Sequence, residues 1–348
     1  METKLIKLLS MLGVACFALT SVIAETSSPT QMSVPPSPTP GETGPNIFIG
    51  ADYTLWTARE AGLAVAASNF YSTPIAEDAA EQGKIFYPKS KLRSGFKVDL
   101  GVYLPHDNWD LKSEFTWFNN NMNQLHDADF VAGQAISTFN ADGTSTPLTL
   151  AAASSSWNVW FNRIDLTMGR SFFAGHYLSI RPFMGLLGAW DNQSLHTKYT
   201  EDNIDSTEYD VHNVQKWWGI GAYGGMNATF TFISDSSNQW SLFLDAGTAL
   251  PWSKSRGHQY SENKTDETIP YTFGNTTYTV APMLETALGL RWETWWADGS
   301  WMFLLQAAWE EQVWFGHNNF VSPSSGTTGS GNGAYTMQGL TVKAAIAF

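Results

Sequence analysis

From Asn46 to the last residue, apolar side chains recur at every second position over stretches of about ten residues. Ten such stretches fall at about 46–57, 93–104, 109–118, 157–169, 177–190, 215–232, 240–250, 280–296, 301–315 and 335–348. A period of two puts successive side chains on opposite faces of a strand, and about 9–11 strand residues cross a bilayer at barrel tilt. Helical periodicity is missing from these segments. The connections alternate in length: short at 105–108, 171–176, 233–239 and 297–300, long and polar at 58–92, 119–156, 191–214, 251–279 and 316–334. Pattern and connections together predict the all-β class: a transmembrane antiparallel up-and-down β-barrel of about ten strands, with short periplasmic turns and long extracellular loops. Both termini then lie on the short-turn side.

The charges follow the phase of the strands. In the second stretch Phe96, Val98, Leu100, Val102 and Leu104 share one face, and Lys97 and Asp99 share the other. The same split assigns Asp52, Lys97, Asp99, Lys112, Glu114, Arg163, Asp165, Arg181, Asp245, Glu285, Arg291, Glu293, Glu310 and Lys343 to the inner face. A charge facing lipid costs about 2–4 kcal/mol near the midplane, so lipid enforces this segregation more strictly than water does. Four inner pairs of opposite sign stand two residues apart: Lys97/Asp99, Lys112/Glu114, Arg163/Asp165 and Arg291/Glu293. They either line a wet passage or cross-link the lumen. Glycines 50, 101, 185, 219, 221, 225, 247 and 289 share that face and are expected to leave room there, or to ease strand curvature. Pro182, inside the fifth stretch, is expected at a bulge, because it lacks a ladder donor. Tryptophans are expected in two interfacial girdles, with 109, 240, 295, 296 and 301 by the short turns and 56, 117, 157, 160, 190, 217, 252 and 314 by the long loops.

The remaining chain sets the destination. Lys4 and Lys7 precede an apolar run ending near Ile23, and Val22 and Ala24 supply small residues before Glu25, so residues 1–24 read as a signal peptide. Residues 25–45, with prolines at 29, 35, 36, 38, 40 and 45, read as a flexible tether, and 46–348 as the barrel. Cys16 is the sole cysteine, and its removal with the signal excludes disulfides, thiolate metal ligands and a thiol nucleophile. A net charge of −13, with 19 Lys and Arg against 32 Asp and Glu, argues against nucleic acid as a partner. The closing strand GLTVKAAIAF ends on Phe348 and resembles the terminal signature through which assembly machinery reads outer-membrane barrels.

Four segments carry a further resemblance: Ile164–Trp190 (IDLTMGRSFFAGHYLSIRPFMGLLGAW), Lys216–Phe230 (KWWGIGAYGGMNATF), Leu284–Trp296 (LETALGLRWETWW) and Leu304–Phe315 (LLQAAWEEQVWF). The chain resembles the major outer membrane protein family of Legionella and chlamydia-like bacteria over most of Asn46–Phe348, most strongly at Arg181–Trp190. The resemblance implies an outer-membrane β-barrel of a Gram-negative bacterium, described as a porin or major surface protein. It defines no catalytic residues. The cross-linked envelope of true chlamydiae is not implied, since the mature chain lacks cysteine.

Three functions follow as expectations. The first is a small porin for passive diffusion of solutes and ions, lined by Lys97, Asp99, Lys112, Glu114, Arg163, Asp165, Arg181, Asp245, Glu285, Arg291, Glu293 and Glu310. Eight acidic and six basic residues on the inner face imply a mild cation preference. The second is a closed barrel acting as a surface adhesin or structural protein, since ten strands enclose a narrow lumen. The third is a protease at the barrel rim, drawn from Asp127 and Asp129 (HDAD) with Asp210 and His212 (YDVH), whose Asp/His pair would activate water. Expected partners are outer-membrane lipid and lipopolysaccharide, barrel-assembly machinery through Phe348, and small solutes, with homo-oligomerisation open. No cofactor or metal is expected: His106, His126, His176, His196, His258 and His317 are scattered without ligand spacing and are expected in solvent.

Overall fold

The computed structural model describes residues 46–68, 84–88, 90–104, 109–124, 133–135, 149–175, 177–202, 205–235, 237–265, 267–297, 299–324, 327–330 and 333–348. The signal peptide and tether readings, Asp127 and Asp129 lie outside those residues. Ten long strands form a closed ring: β1 (Ile47–Glu60), β2 (Arg93–Tyr103), β3 (Trp109–Gln124), β4 (Thr149–Arg170), β5 (Leu178–Glu201), β6 (Glu208–Ser234), β7 (Asn238–Asn263), β8 (Met283–Trp296), β9 (Trp301–Trp314) and β10 (Tyr335–Ala347). Each pairs antiparallel with its chain neighbours, and β1 closes the ring on β10, with Phe48 opposite Ala347 and Glu60 opposite Tyr335. Closure removes both sheet edges, which is the condition for a sheet to stand in lipid. Among the described residues no helix is long and apolar enough to cross a membrane.

The outward face shows where lipid ends. Leu186, Ile220, Leu242, Leu288, Leu290 and Leu305 are exposed along the strands. Trp160, Trp190, Trp218, Trp252 and Phe315 mark one rim and Trp240, Trp296 and Trp301 the other, all exposed. Between these ends the outward face of β5, β6 and β7 carries no Asp, Glu, Lys or Arg, while on β9 Glu311 lies between Trp309 and Phe315. Trp240 and Trp252 are twelve residues apart on β7; at ~3.3 Å per residue and ~40° of tilt they are about 30 Å apart along the axis, close to a hydrocarbon thickness. Beyond the long-loop rim the outward residues of β5, β6 and β7 turn polar: Asn192, His196 and Lys198; Lys216, His212 and Asp210; Lys254, Arg256 and His258. The strands therefore continue into water as a protruding wall.

This wall corrects the expected loops. Most of 191–214 and 251–279 is strand, because β5, β6 and β7 run 24, 27 and 26 residues, more than twice what a crossing needs. The eighth predicted strand is also divided. A segment Thr268–Val280 pairs with the outer half of β7, β8 pairs with its inner half, and Ala281 and Pro282 separate them. Proline's missing donor explains the break. Pro182 marks no bulge: it sits opposite Met226 in regular register, one residue beyond the last β4–β5 pair, Gly169 with Phe183. Its missing N–H falls in a short gap of that ladder, which resumes with Phe172 opposite Ile180.

Candidate functional site

The lumen has two tiers. At membrane level, toward the short turns, all fourteen predicted inner charges point inward, and a cavity of about 380 Å³ lies among them. It is lined from Phe48, Phe173, Trp295 and Met302 near the turns up to Lys97, Glu310 and Thr341. The charges are knitted across strands rather than left to solvent. Lys97 Nζ reaches Glu310 at 2.5 Å and Glu114 at 3.7 Å. Lys343 pairs with Asp99 and lies 3.7 Å from Asp52. Arg163 bonds Asp165 at 3.1 Å and also Glu285, which accepts from Tyr223 as well. Arg181 clamps Asp110 and donates to Asn227 at 2.7 Å, and Asn227 donates to Asp245.

Of the four expected i, i+2 pairs, Lys112–Glu114 (2.6 Å) and Arg163–Asp165 form. Lys97 and Asp99 instead take partners on β9 and β10. Arg291 donates to Gln306 and Thr229. Across a narrow barrel, facing strands come within reach of long side chains, so cross-lumen pairing competes with pairing along one strand. The inner glycines do not leave open space. A Cβ at Gly101 would overlap the Phe48 ring, and one at Gly225 would meet the Phe183 ring at 2.7 Å, so neighbouring rings already occupy it. Asp110 and Tyr223 escaped the sequence reading, although Asp110 shares the parity of Lys112 and Glu114.

Above the charges the lumen is shut by aromatic residues. Trp56, Trp157, Trp217, Trp314, Phe118, Phe161 and Tyr335 are each at most 2 % exposed. Their rings meet at 5.5 Å (Trp217–Trp314), 5.6 Å (Phe161–Trp314), 5.8 Å (Trp56–Phe118) and 6.0 Å (Phe161–Tyr335). The Trp56 indole donates to Thr341 and that of Trp157 to Gln193, so two polar handles are satisfied inside the packing. This corrects the outer girdle, which was expected to include Trp56, Trp157, Trp217 and Trp314. Each shares parity with inward residues, Trp56 with Asp52 and Trp157 with Arg163. Where two tryptophans are adjacent, as at 217 and 218, only one can face lipid.

Two chain segments cap this layer from the long-loop side. Asn318 Nδ2 donates to Ala61 O, and Tyr199 OH donates to Val65 O. Gln215 holds the second segment, donating to His317 O and accepting from Asn319 N. His317 itself is fully buried between Asp191 (2.5 Å) and Glu60 (3.1 Å), contrary to the expected solvent position. Burial alone would depress its pKa, but Asp191 and Glu60 overcome this and raise it to about 10, so the ring is a paired imidazolium. The proposed protease pair points elsewhere: Asp210 and His212 lie on the outward face of the protruding wall, beside His196.

The family model described as Legionella pneumophila major outer membrane protein precursor matches residues 50–348. No curated protein matches. Similar solved structures include the outer membrane protease OmpT from Escherichia coli, at 9% identity and TM-score 0.42, covering 87% of this chain and 96% of that one. A major outer membrane protein from Thermus thermophilus is 13% identical with TM-score 0.28, covering 86% and 99%. The Pseudomonas putida toluene transporter TodX is 8% identical with TM-score 0.23, covering 87% and 89%.

Proposed function

The chain belongs to the Legionella major outer membrane protein family, and from that premise we propose that it is a surface barrel of the outer membrane whose lumen stands shut. The aromatic layer carries this reading. A solute crossing from the cavity to the cell surface would have to part seven side chains that exclude water, and then move Ala61–Ala66 and His317–Phe320. The protruding wall of β5, β6 and β7 is the part that faces other cells, molecules and lipopolysaccharide, as in the adhesin or structural reading. Non-enzymatic action agrees with the outward placement of Asp210 and His212, away from any enclosed cleft.

One observation favours porin-type diffusion as a second reading: the charged cavity already extends from the short-turn end to Lys97 and Glu310. Passage then requires that the aromatic layer part and the outer cap swing away. Reconstitution of the purified barrel in planar bilayers, with solute uptake by liposomes in parallel, separates the two. The shut barrel gives no steady conductance and no uptake, whereas a steady conductance level with solute uptake establishes the porin.

A further inference from the structure

On the water side of the long-loop rim, three ligand-type side chains meet on the outward face of two adjacent strands. Asp210 and His212 stand two residues apart on β6 and so share a face. The pairing register puts His196 of β5 directly opposite His212. A directly opposed cross-strand pair brings Cβ atoms to about 4.5–5.5 Å, and the imidazoles lie face to face with ring centroids 4.1 Å apart. His196 Nε2 lies 3.1 Å from Asp210 Oδ1, and the ligand atoms of all three side chains fall within 4.8 Å of one another. Tyr260 of β7 stacks on the other face of His212 at 4.5 Å and fixes that ring.

We propose that His196, Asp210 and His212 form a three-ligand site for a divalent transition-metal ion of the zinc type, on the outer wall of the barrel above the membrane. Two imidazoles and a carboxylate are a donor set that such ions take. Tetrahedral bonds of about 2.0–2.1 Å place ligand atoms about 3.3 Å apart, so the His196 ring has to turn out of its stack on His212 for both nitrogens to meet one ion. Packing of Tyr260 limits how far His212 can turn away. Lys198 and Lys264 approach Asp210 at 4.0 and 3.8 Å, but at Oδ2; both are exposed, and Oδ1 is the oxygen turned to His196. Since β5 and β6 supply only three ligands, the fourth position opens to solvent and would accept water or a donor group from outside the cell. The usual sequence search misses such a site because His196 and His212 are neighbours only through the register.

The test uses the full untagged barrel, refolded in detergent, titrated with Co²⁺ alone and followed by visible absorption, with Zn²⁺ as competitor. One Co²⁺ per chain is expected, displaced by Zn²⁺. His212→Ala and His196→Ala should each weaken binding by about 100-fold or more, because even outer-shell changes cost about 10–100-fold. His258→Ala, on the same exposed wall, should change nothing. Heat-modifiable electrophoretic mobility confirms that each variant is folded, and either histidine variant suffices. Wild-type binding no tighter than that of the folded His196→Ala or His212→Ala protein overturns the proposal.

Discussion

Arg163 tells a packed lumen from an open, water-filled one. Its guanidinium is 2 % exposed at membrane level, holds Asp165 at 3.1 Å and Glu285 beside it, and lies 5.0 Å from the centre of the Tyr223 ring. Replacing it with methionine keeps most of the volume but leaves Asp165 and Glu285 without the guanidinium that bonds both, with Lys112 and Lys97 as the nearest remaining cations. Breaking a buried pair in this way costs about 3–5 kcal/mol, and the lost contact with Tyr223 adds about 0.5–2 kcal/mol. In a water-filled passage the same pair is screened and is worth only about 0.2–1 kcal/mol. The two accounts therefore differ several-fold in one number. Urea unfolding of Arg163→Met, Glu285→Gln and the double variant in lipid vesicles gives that number as a double-mutant cycle. We expect the large single-variant loss and a coupling of about 0.5–3 kcal/mol, nearly independent of salt. A loss under about 1 kcal/mol that disappears at high salt would refute the packed-lumen reasoning.

Three further outcomes follow. Phe348 stacks on Trp301 at 5.3 Å and its backbone exchanges hydrogen bonds with Ile47, so Phe348→Asp should reduce the amount of membrane-inserted, heat-modifiable barrel; normal amounts would contradict the terminal-strand argument. Leu186 is 59% exposed in the middle of the apolar band of β5, so Leu186→Arg should cost about 2–4 kcal/mol in vesicle unfolding, whereas near-zero cost would move the band elsewhere. His317 has its pKa raised to about 10 from 6.5, so its stabilisation is complete below pH 6.5 and declines as pH rises through about 10. The thermal midpoint should fall across that window in the wild type and stay flatter in His317→Gln; parallel curves would refute the buried-imidazolium assignment.

What the sequence disclosed was governed by parity. Ring size, closure and the inward direction of all fourteen charges follow from a period of two and from the intolerance of lipid for charge. The same parity assigns Trp56, Trp157, Trp217 and Trp314 to the lumen. Sorting tryptophans by nearness to loops obscured this, and with it the plug. Strand ends beyond the membrane were hidden for a different reason. Outside lipid the outward face of β5, β6 and β7 can be polar, so hydrophobic alternation fades although the ladder continues. Contacts set by register or by chain return, such as Lys97 with Glu310, His196 with His212, and His317 between Glu60 and Asp191, link residues 213, 16, 257 and 126 positions apart, and no local pattern reports them.

The central claim is that the lumen is closed between the membrane-level cavity and the cell surface. Ala287 lines that cavity, and a chain cleaved after residue 24 contains no other thiol than one introduced by Ala287→Cys. The decisive measurement is the reaction of this cysteine with a membrane-impermeant thiol reagent, added to oriented proteoliposomes from either side. The account predicts labelling from the short-turn side and none from the long-loop side. Equal labelling from both sides would show a continuous aqueous path and contradict it.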